Sequence, residues 1–158
     1  MKLRDIKEAD FSAIKRLTKN KDVMKFIGNG KIWDDKKIER FIDYNLLEQK
    51  LTNRDRKQFY YIVENQHNFI GIIGFHLFQG KYVLSVFFYK SKQGKGYFSR
   101  SLKILKKKIK ILKPKLKYLY VQVHINNEKM LALSETKFFY NGTSVISNKK
   151  IKEFIIFI

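Results

Sequence analysis

The loop at residues 93–99, with the sequence QGKGYFS, contains the residue types and spacing best suited to chemistry in this chain. It follows an apolar, aromatic run and precedes an amphipathic helical pattern that carries Leu102, Leu105 and Ile109. A strand, a glycine loop and a helix in this order bring several backbone N–H groups to a helix N-terminus, where the helix dipole favours an anion. The two glycines also let the backbone approach a phosphate closely. The loop therefore predicts a site for a phosphorylated cofactor, and the alternative is a tight turn without a ligand.

Other glycine motifs and metal sites do not fit this chain. The loop lacks the GxxxxGK[ST] order of a P-loop, and it lacks GxGxxG because Gly94 and Gly96 are followed by Ser99. The chain has no cysteine, which excludes disulfides and thiolate zinc sites. Its three histidines lie far apart and show no metal-ligand spacing. We therefore expect no metal site.

The chain is strongly basic, with 34 Lys and Arg residues against 14 Asp and Glu and a formal net charge of +20. Such a charge favours anionic partners, including nucleic acid, the ribosome and phosphorylated cofactors. The abundance of Lys, Ile, Phe, Tyr and Asn is also typical of the residue choice of an AT-rich genome. The lysines within residues 103–110 are most simply the solvated face of the helix that follows the loop.

The hydrophobic pattern predicts the elements that position the loop. Apolar and alternating runs predict strands at residues 2–7, 58–64, 69–77, 83–89, 118–125, 138–146 and 151–158. Helical spacing predicts helices that begin at Phe11 and after Asp34, and at residues 97–112 and 127–137, with Asp10 and Asp34 as N-caps. A turn is predicted at residues 147–150.

This order of elements predicts an α/β fold. We expect a single domain over residues 1–158, with a mixed, mostly antiparallel sheet of about six to seven strands flanked by about four helices. The N-terminus is charged, and no segment approaches the roughly 20 apolar residues of a membrane span. We expect a cytoplasmic protein without a membrane segment.

The strand, the loop and the helix together resemble the GNAT superfamily of N-acetyltransferases. In that family the acetyl-CoA loop reads [RQ]-x-x-G-x-[GA]; Gln93 and Gly96 match it, and Phe98 stands where the family has a small residue. The segment GKGY before a helix is most similar to the branch that contains the ribosomal-protein N-terminal acetyltransferases. Residues 3–28 are similar to the opening strand and helix of that branch.

A second similar stretch lies downstream of the loop. The family pattern N-x-x-[SA] … E-K-L-G-F is matched by Asn127, Glu135 and Phe139, while Met130 and Phe138 replace a small residue and a glycine. The motifs occur in the family's order and spacing, and the similarity covers nearly the whole chain. The resemblance implies a GNAT-like fold, acetyl-CoA (coenzyme A) as acyl donor and an amine-bearing substrate, either a protein or a small molecule.

The resemblance also implies cofactor-binding roles for individual residues. The N–H groups of residues 94–99 would hold the pyrophosphate of coenzyme A, and the pantetheine arm would pair with the strand at residues 85–89. A Phe98 ring that points into the core leaves these N–H groups open, whereas a ring that points at the phosphates would weaken binding. The predicted cofactor-binding residues are Phe87, Phe88, Gln93, Gly94, Lys95, Gly96, Tyr97, Phe98, Ser99 and Asn127.

Acetyl transfer to an amine needs a proton acceptor, a donor to the thioester carbonyl and a proton source for the departing thiolate. Where the family often has a carboxylate and a tyrosine, this chain has Val83 and Ser134. The candidates for proton transfer are His124, Ser134 and Glu64, each with an ordinary structural alternative. We expect a structural role for His76, whereas Asp34 and Asp35 could attract a cationic amine.

These observations support three functional hypotheses. The leading one is an acetyl-CoA-dependent N-acetyltransferase that acts by direct transfer in a ternary complex, because no cysteine exists to carry the acetyl group. The second is a catalytically degenerate protein that binds CoA or a partner protein, motivated by Val83, Phe98, Ser134 and Phe138. The third is a basic nucleic-acid-binding module, although no RRM, KH or helix-turn-helix motif is present. The sequence does not indicate an oligomeric state.

Overall fold

The computed structural model describes residues 1–146 and 148–158. The strands are β1 (Lys2–Asp5), β2 (Gln58–Asn65), β3 (Asn68–Phe78), β4 (Lys81–Phe88), β5 (Tyr118–His124), β6 (Phe139–Ile146) and β7 (Lys149–Phe157). The helices are α1 (Phe11–Thr18), α2 (Lys21–Met24), α3 (Asp35–Gln49), α4 (Tyr97–Leu112) and α5 (Glu128–Lys137). Short 3-10 turns occupy Glu8–Asp10 and Lys90–Lys92.

All seven described strands belong to one sheet with the order β1-β2-β3-β4-β5-β7-β6. Neighbouring strands are antiparallel except β4 and β5, which are parallel and are joined through α4. The predicted α/β fold with a mixed, mostly antiparallel sheet is confirmed. The helix that the sequence did not predict is α2, a single turn whose N-cap, Asn20, accepts a hydrogen bond from the Val23 N–H at 3.2 Å.

The sheet separates two apolar clusters. On one side, which we call the α4 face, Leu102, Leu105 and Ile109 of α4 pack against strand residues such as Phe59 and Phe75. On the other side, the α1/α3 face, α1 and α3 cover the inner strands. The cluster on this face includes Ile14, Leu17, Trp33, Ile38, Ile42, Tyr60, Ile62, Ile72 and Phe87. Since successive residues of a strand point to opposite faces, the inner strands β2, β3 and β4 contribute to both clusters, whereas β5 and β7 contribute only to the α4-face cluster.

Two predicted N-caps have different outcomes. Asp34 caps α3, accepting a hydrogen bond from the Lys37 N–H at 2.7 Å, as predicted. Asp10 occupies the N-cap position of α1, as predicted, but its side chain makes no capping hydrogen bond to that helix. The Asp10 carboxylate instead accepts from both terminal nitrogens of Arg4, at 2.8 and 2.6 Å, and from the Lys7 N–H at 2.8 Å. These bonds attach β1 to the start of α1.

The predicted turn at residues 147–150 differs from the structure in extent. Ser147 lies outside the described residues, Asn148 has a positive φ of 61°, and β7 already begins at Lys149. In the described part of the chain, no helix combines the length and the apolar character that a membrane crossing requires.

Candidate active site

The glycine loop exposes a row of backbone donors at the start of α4. Gly94 and Gly96 have φ values of 73° and 72°, in the left-handed region that L-residues avoid, and Gly96 is the residue that precedes the helix. Among the described residues, the N–H groups of residues 94–99 make no hydrogen bond to a backbone or side-chain acceptor. The first paired N–H is that of Arg100, which donates to the Gly96 carbonyl at 3.1 Å. Helix geometry and the two glycines thus present several free donors to one anion.

Positive charge surrounds these donors. Lys90 and Lys92 form the turn that leads into the loop, and the Lys95 side chain is exposed beside them. Arg100 donates from Nη2 to the Lys95 carbonyl at 3.1 Å and lies 5.0 Å from the Tyr97 ring centre. The ring of Tyr97 is half-buried and packs against the α4-face core, so the first turn of α4 is attached to the sheet. The loop therefore combines a fixed backbone with a positive field.

The Phe98 ring packs against the core rather than standing alone in the loop. It is half-buried on the α4 face, and its ring centre lies 6.4 Å from that of Phe138 in an edge-to-face arrangement. Phe98 and Phe138 are two of the residues that depart from the GNAT pattern, and they contact each other. Edge-to-face packing of this kind stabilises the pair and fixes α4 beside α5.

The parallel strands β4 and β5 separate soon after they meet. Their pairing is confined to Val83 and Tyr120. Beyond this point, residues 84–88 of β4 pair with β3 alone, and residues 121–124 of β5 pair with β7 alone. The sheet therefore contains a wedge that opens toward the glycine loop, with unpaired strand edges on both sides.

Phe87 and Phe88, two of the predicted cofactor-binding residues, contribute main-chain groups rather than side chains to the wedge. Phe87 points into the α1/α3-face core, where its ring centre lies 5.8 Å from that of Trp33. Phe88 points into the opposite core. Both side chains are buried, so only their main-chain groups face the wedge.

His124 and Asn127 lie together at the end of β5. The Asn127 N–H donates to the His124 carbonyl at 2.8 Å, and the Asn127 side chain caps α5 by accepting from the Met130 N–H at 3.4 Å. The His124 Nδ1 accepts from the Asn126 N–H at 3.1 Å, and its ring lies 5.7 Å from that of Phe26. Each of the two residues thus has a structural contact and also a position at the open end of the wedge.

Ser134 is the fully buried residue of α5. Its hydroxyl oxygen has no hydrogen-bond partner among the described residues. A buried polar atom without a partner is uncommon and costs free energy, which makes it a candidate for contact with a bound ligand.

Glu64 is not brought to the wedge. It lies at the end of β2, two strands away from β4, and its carboxylate pairs with Arg4 and, at 3.2 Å, with Lys2. The hydrogen bond from Arg4 holds the pKa of Glu64 below its ordinary value. This arrangement suits a structural ion pair better than a proton acceptor.

A polar cluster that the sequence did not predict lies on the α1/α3 face. The Tyr60 hydroxyl is 3.0 Å from His76 Nδ1 and donates to Ser85 Oγ at 3.1 Å, and Ser85 Oγ is 3.4 Å from the same nitrogen. Tyr60, Gly74 and Ser85 are directly opposite each other on β2, β3 and β4. A Cβ on Gly74 would stand 2.5 Å from the Tyr60 ring, so the glycine makes room for the phenol. A glycine within a strand was the available sequence signal for this close approach.

Comparison with protein families agrees with this geometry. A model of the family described as acetyltransferase (GNAT) domain matches residues 1–136. The chain belongs to the GNAT acetyltransferase family. It is therefore an N-acetyltransferase whose acyl donor is acetyl-CoA. No curated protein sequence matches the chain.

Solved structures share the GNAT fold over the full length of the chain. One is an acetyltransferase from Salmonella typhimurium that modifies the N-terminal serine of a ribosomal-subunit protein; it has 15% identity, a TM-score of 0.81 and coverage of 99% of this chain and 94% of the other. Another is the spermidine N-acetyltransferase from Vibrio cholerae in complex with CoA and spermine, with 20% identity, a TM-score of 0.75 and coverage of 99% and 94%. A ribosomal-protein-alanine N-acetyltransferase from Brucella melitensis has 18% identity, a TM-score of 0.74 and full coverage of both chains.

The residues around the wedge fit the acyl donor of the GNAT family. The unpaired N–H groups of residues 94–99 suit its pyrophosphate, and the unpaired edge of β4 suits its amide-containing arm. The Ser134 hydroxyl is a buried polar atom on the helix that follows β5. The Phe98 ring packs with Phe138, which leaves the loop backbone accessible.

Proposed function

We propose that residues 1–158 form one catalytic domain that moves the acetyl group of acetyl-CoA to a primary amine by direct transfer in a ternary complex. The observation that carries this proposal is the set of unpaired N–H groups at residues 94–99 beside the wedge between β4 and β5. The chain has no cysteine that could carry the acetyl group as a thioester, which supports direct transfer.

The proposed roles of the loop and wedge follow from their free donors and acceptors. The N–H groups of residues 94–99 bind the pyrophosphate, with Lys95 and neighbouring lysines adding charge, and the edge of β4 holds the pantetheine arm by main-chain hydrogen bonds. Acetyl-CoA supplies an acetyl group activated as a thioester. A main-chain N–H of β4 near Phe87 or Phe88 donates to the carbonyl oxygen, where negative charge develops.

Three predicted residues of the second half of the chain complete the proposed cofactor site. Ser134 donates a hydrogen bond to the departing sulfur, which gives the buried, unpaired hydroxyl a partner. Asn127 and His124 border the open end of the wedge, where they restrict the position of the cofactor. We leave Glu64 out of the site because it lies on β2, two strands away from β4, and its carboxylate is paired with Arg4.

Asp34 and Asp35 are not free to attract a cationic amine, as the sequence had suggested they could. Asp34 caps α3, and Asp35 pairs with Lys15 at 2.6 Å and Lys19 at 3.0 Å, so both carboxylates already have partners. An open surface depression of about 540 Å³ lies between α2 and the turn that follows it, lined by the mostly exposed residues Lys21, Asp22, Lys25, Gly30, Lys31 and Ile32. Three ammonium groups against one carboxylate favour an anionic acceptor. We therefore propose a peptide amine followed by acidic residues, in preference to a polyamine.

Release of free thiol from acetyl-CoA tests this function. We would compare an acidic peptide with a free N-terminus, the same peptide with its N-terminus blocked and one lysine added, and spermidine. We expect the first acceptor to give the largest kcat/KM. Thiol release at background with every acceptor, by a protein that binds acetyl-CoA, would instead support the catalytically degenerate alternative.

A pair of double variants tests whether the acceptor is acidic, independently of whether the protein is an active acetyltransferase. Lys25→Glu with Lys31→Glu changes the charge of the depression, whereas Lys103→Glu with Lys107→Glu makes the same change on the exposed side of α4. We expect only the first pair to raise KM for the acidic peptide. A preference for spermidine in the unmodified protein would contradict the acidic-peptide proposal and leave the acetyltransferase proposal intact.

Nucleic acid or the ribosome as a further partner stays a prediction from the net charge. Some of the basic side chains have structural contacts: the Lys108 and Lys113 ammonium groups lie 4.8 and 5.5 Å from the ring centres of Tyr61 and Phe59. Burial, and then the neighbouring Lys110, lowers the pKa of Lys106. RNA binding whose affinity does not fall steeply with salt would contradict a binding surface built from lysines.

A further inference from the structure

His76 lies beside the point at which the wedge between β4 and β5 begins. It lies directly opposite Val83, the residue at which the pairing of β4 and β5 ends and the wedge begins. The His76 ring is on the α1/α3 face with Tyr60 and Ser85, and it is half-buried, so part of the imidazole remains accessible.

The contacts of His76 Nδ1 are the basis for assigning which ring nitrogen carries the proton. The Tyr60 hydroxyl donates to Ser85 Oγ at 3.1 Å, and the phenol oxygen lies 3.0 Å from His76 Nδ1. A phenol proton directed at Ser85 leaves the Tyr60 oxygen as an acceptor for an Nδ1–H of the imidazole. We assign the proton to Nδ1 on this ground, which leaves Nε2 with an unshared electron pair.

The surroundings of His76 keep the imidazole neutral. Tyr60 faces it from β2 and Ser85 from β4, and the ring of Phe78 lies 6.3 Å away on β3 itself. Burial raises the pKa of Tyr60 to about 12, so the phenol is uncharged near neutral pH. Burial also lowers the pKa of His76 below its ordinary value of 6.5. No ion pair to His76 occurs among the described residues.

We propose that His76 Nε2 accepts the proton that the acceptor amine loses during acetyl transfer, and that Tyr60 and Ser85 are positioning residues that orient its ring. This inference rests on the proposed function. For an amine that arrives neutral, a bond forms between its nitrogen and the acetyl carbon, and the bond from that carbon to sulfur breaks. One N–H proton passes from nitrogen to Nε2, and the departing thiolate accepts a hydrogen bond from Ser134 and takes up one proton from solvent. Release of the His76 proton to solvent restores the protein, so the products are the amide and the free thiol.

The orientation of His76 can be tested without knowing the acceptor. Nitrogen-15 NMR of the histidine rings distinguishes the two neutral tautomers, and a His76→Gln spectrum identifies the His76 signals. We expect protonation at Nδ1 and a bare Nε2 above pH 7, with titration below pH 6.5. Protonation of the neutral ring at Nε2 would overturn the proposal, because that nitrogen could not then accept a proton.

Kinetics of His76→Gln test the role directly, with the acidic peptide as acceptor. Gln keeps a polar group for Tyr60 but cannot accept a proton, so we expect kcat to fall about 100-fold or more and the affinity for acetyl-CoA to stay unchanged. The rate of the unmodified protein should fall as the pH drops through the pKa of His76, and this acidic limb should disappear in the variant. The matched control is His67→Asn in the exposed turn between β2 and β3, which should leave kcat unchanged.

A second variant covers the case in which His76→Gln does not fold. Tyr60→Phe removes only the hydroxyl that orients the imidazole, and we expect it to lower kcat about 10-fold and to increase the Nε2–H tautomer. A His76→Gln variant that binds acetyl-CoA and keeps its kcat, or a Tyr60→Phe variant with unchanged kcat and tautomer, would overturn the role of His76. Failure of the unmodified protein to bind acetyl-CoA would instead overturn the proposed function.

Discussion

At the scale of single residues, two buried serines in helices differ in one respect. Ser101 of α4 donates its hydroxyl to the Tyr97 carbonyl at 2.7 Å, whereas the Ser134 hydroxyl of α5 has no partner in the described part of the chain. Both side chains are fully buried. The free energy lost at Ser134 is consistent with a group retained for function, because stability and activity often conflict at active sites.

This difference leads to a paired prediction. Ser134→Ala should raise the free energy of unfolding, measured with urea, by about 1 kcal/mol relative to Ser101→Ala, since only Ser101 loses a hydrogen bond. Both changes share the gain in helix propensity, so the difference isolates the hydrogen bond. Ser134→Ala should also lower kcat at least about 10-fold with unchanged affinity for acetyl-CoA. Unchanged kcat in Ser134→Ala would remove Ser134 from the proposed mechanism.

At the scale of elements, the contact between α4 and α5 explains how the chain tolerates an aromatic residue in the loop motif. The edge-to-face pair of Phe98 and Phe138 occupies space between the two helices. Because the two aromatic replacements contact each other, each provides packing for the other. The start of α4 keeps its position, and the N–H groups that precede it stay exposed.

A double-mutant cycle on Phe98→Ala and Phe138→Ala measures this packing. We expect a coupling of about 0.5–1.5 kcal/mol in the free energy of unfolding, from urea titrations of the four proteins. The affinity of Phe98→Ala for acetyl-CoA, measured by calorimetry, should lie within about threefold of the unmodified protein. Tighter binding by Phe98→Ala would show that the ring obstructs the loop.

The elements that could be predicted from the sequence are those with local signals. The strand, the glycine loop and α4 follow one another along the chain, so hydrophobic spacing and two glycines predicted them. The wedge depends on where two distant strands stop pairing, at Val83 and Tyr120, and no local pattern marks that point. The Tyr60 cluster likewise depends on the register of three strands. The side chain of Asp10 was predicted to cap α1 from its local sequence, but in the structure its carboxylate accepts hydrogen bonds from Arg4, which lies on β1.

At the scale of the whole molecule, buried carboxylates link stability to pH. Burial acts to raise the pKa of Asp10, but hydrogen bonds from Arg4 and the Lys7 N–H hold it below its ordinary value of 3.8. Burial acts in the same direction on Glu153, and hydrogen bonds from Lys81, Gln122 and Asn141 hold its pKa below 4.5. Since the unfolded chain binds these protons more readily, the stabilisation is present above the unfolded pKa values and is lost as the pH falls through the folded ones.

The free energy of unfolding should therefore decrease between pH 7 and pH 3. His76 adds a loss that begins below pH 6.5, because its folded pKa is lowered and the unfolded chain takes up that proton first. Glu153→Gln should reduce the decrease between urea titrations at the two pH values. The matched change is Glu39→Gln, at a carboxylate with no ion pair among the described residues. We expect this change to leave the decrease in the free energy of unfolding as large as in the unmodified protein. An equal decrease in all three proteins would contradict the assignment to Glu153.

The most direct test of the whole account is calorimetry with acetyl-CoA on the unmodified protein, Gly94→Ala and Gly80→Ala. Both glycines have positive φ, 73° and 77°, and open space at the Cβ position, so alanine imposes the same backbone strain at each. Gly80 lies in the turn between β3 and β4, away from the donors of residues 94–99. We predict one bound acetyl-CoA per chain, similar affinity in Gly80→Ala, and affinity at least about 10-fold weaker in Gly94→Ala. A folded, unmodified protein that does not bind acetyl-CoA, or equal weakening in both variants, would contradict the loop as the pyrophosphate site.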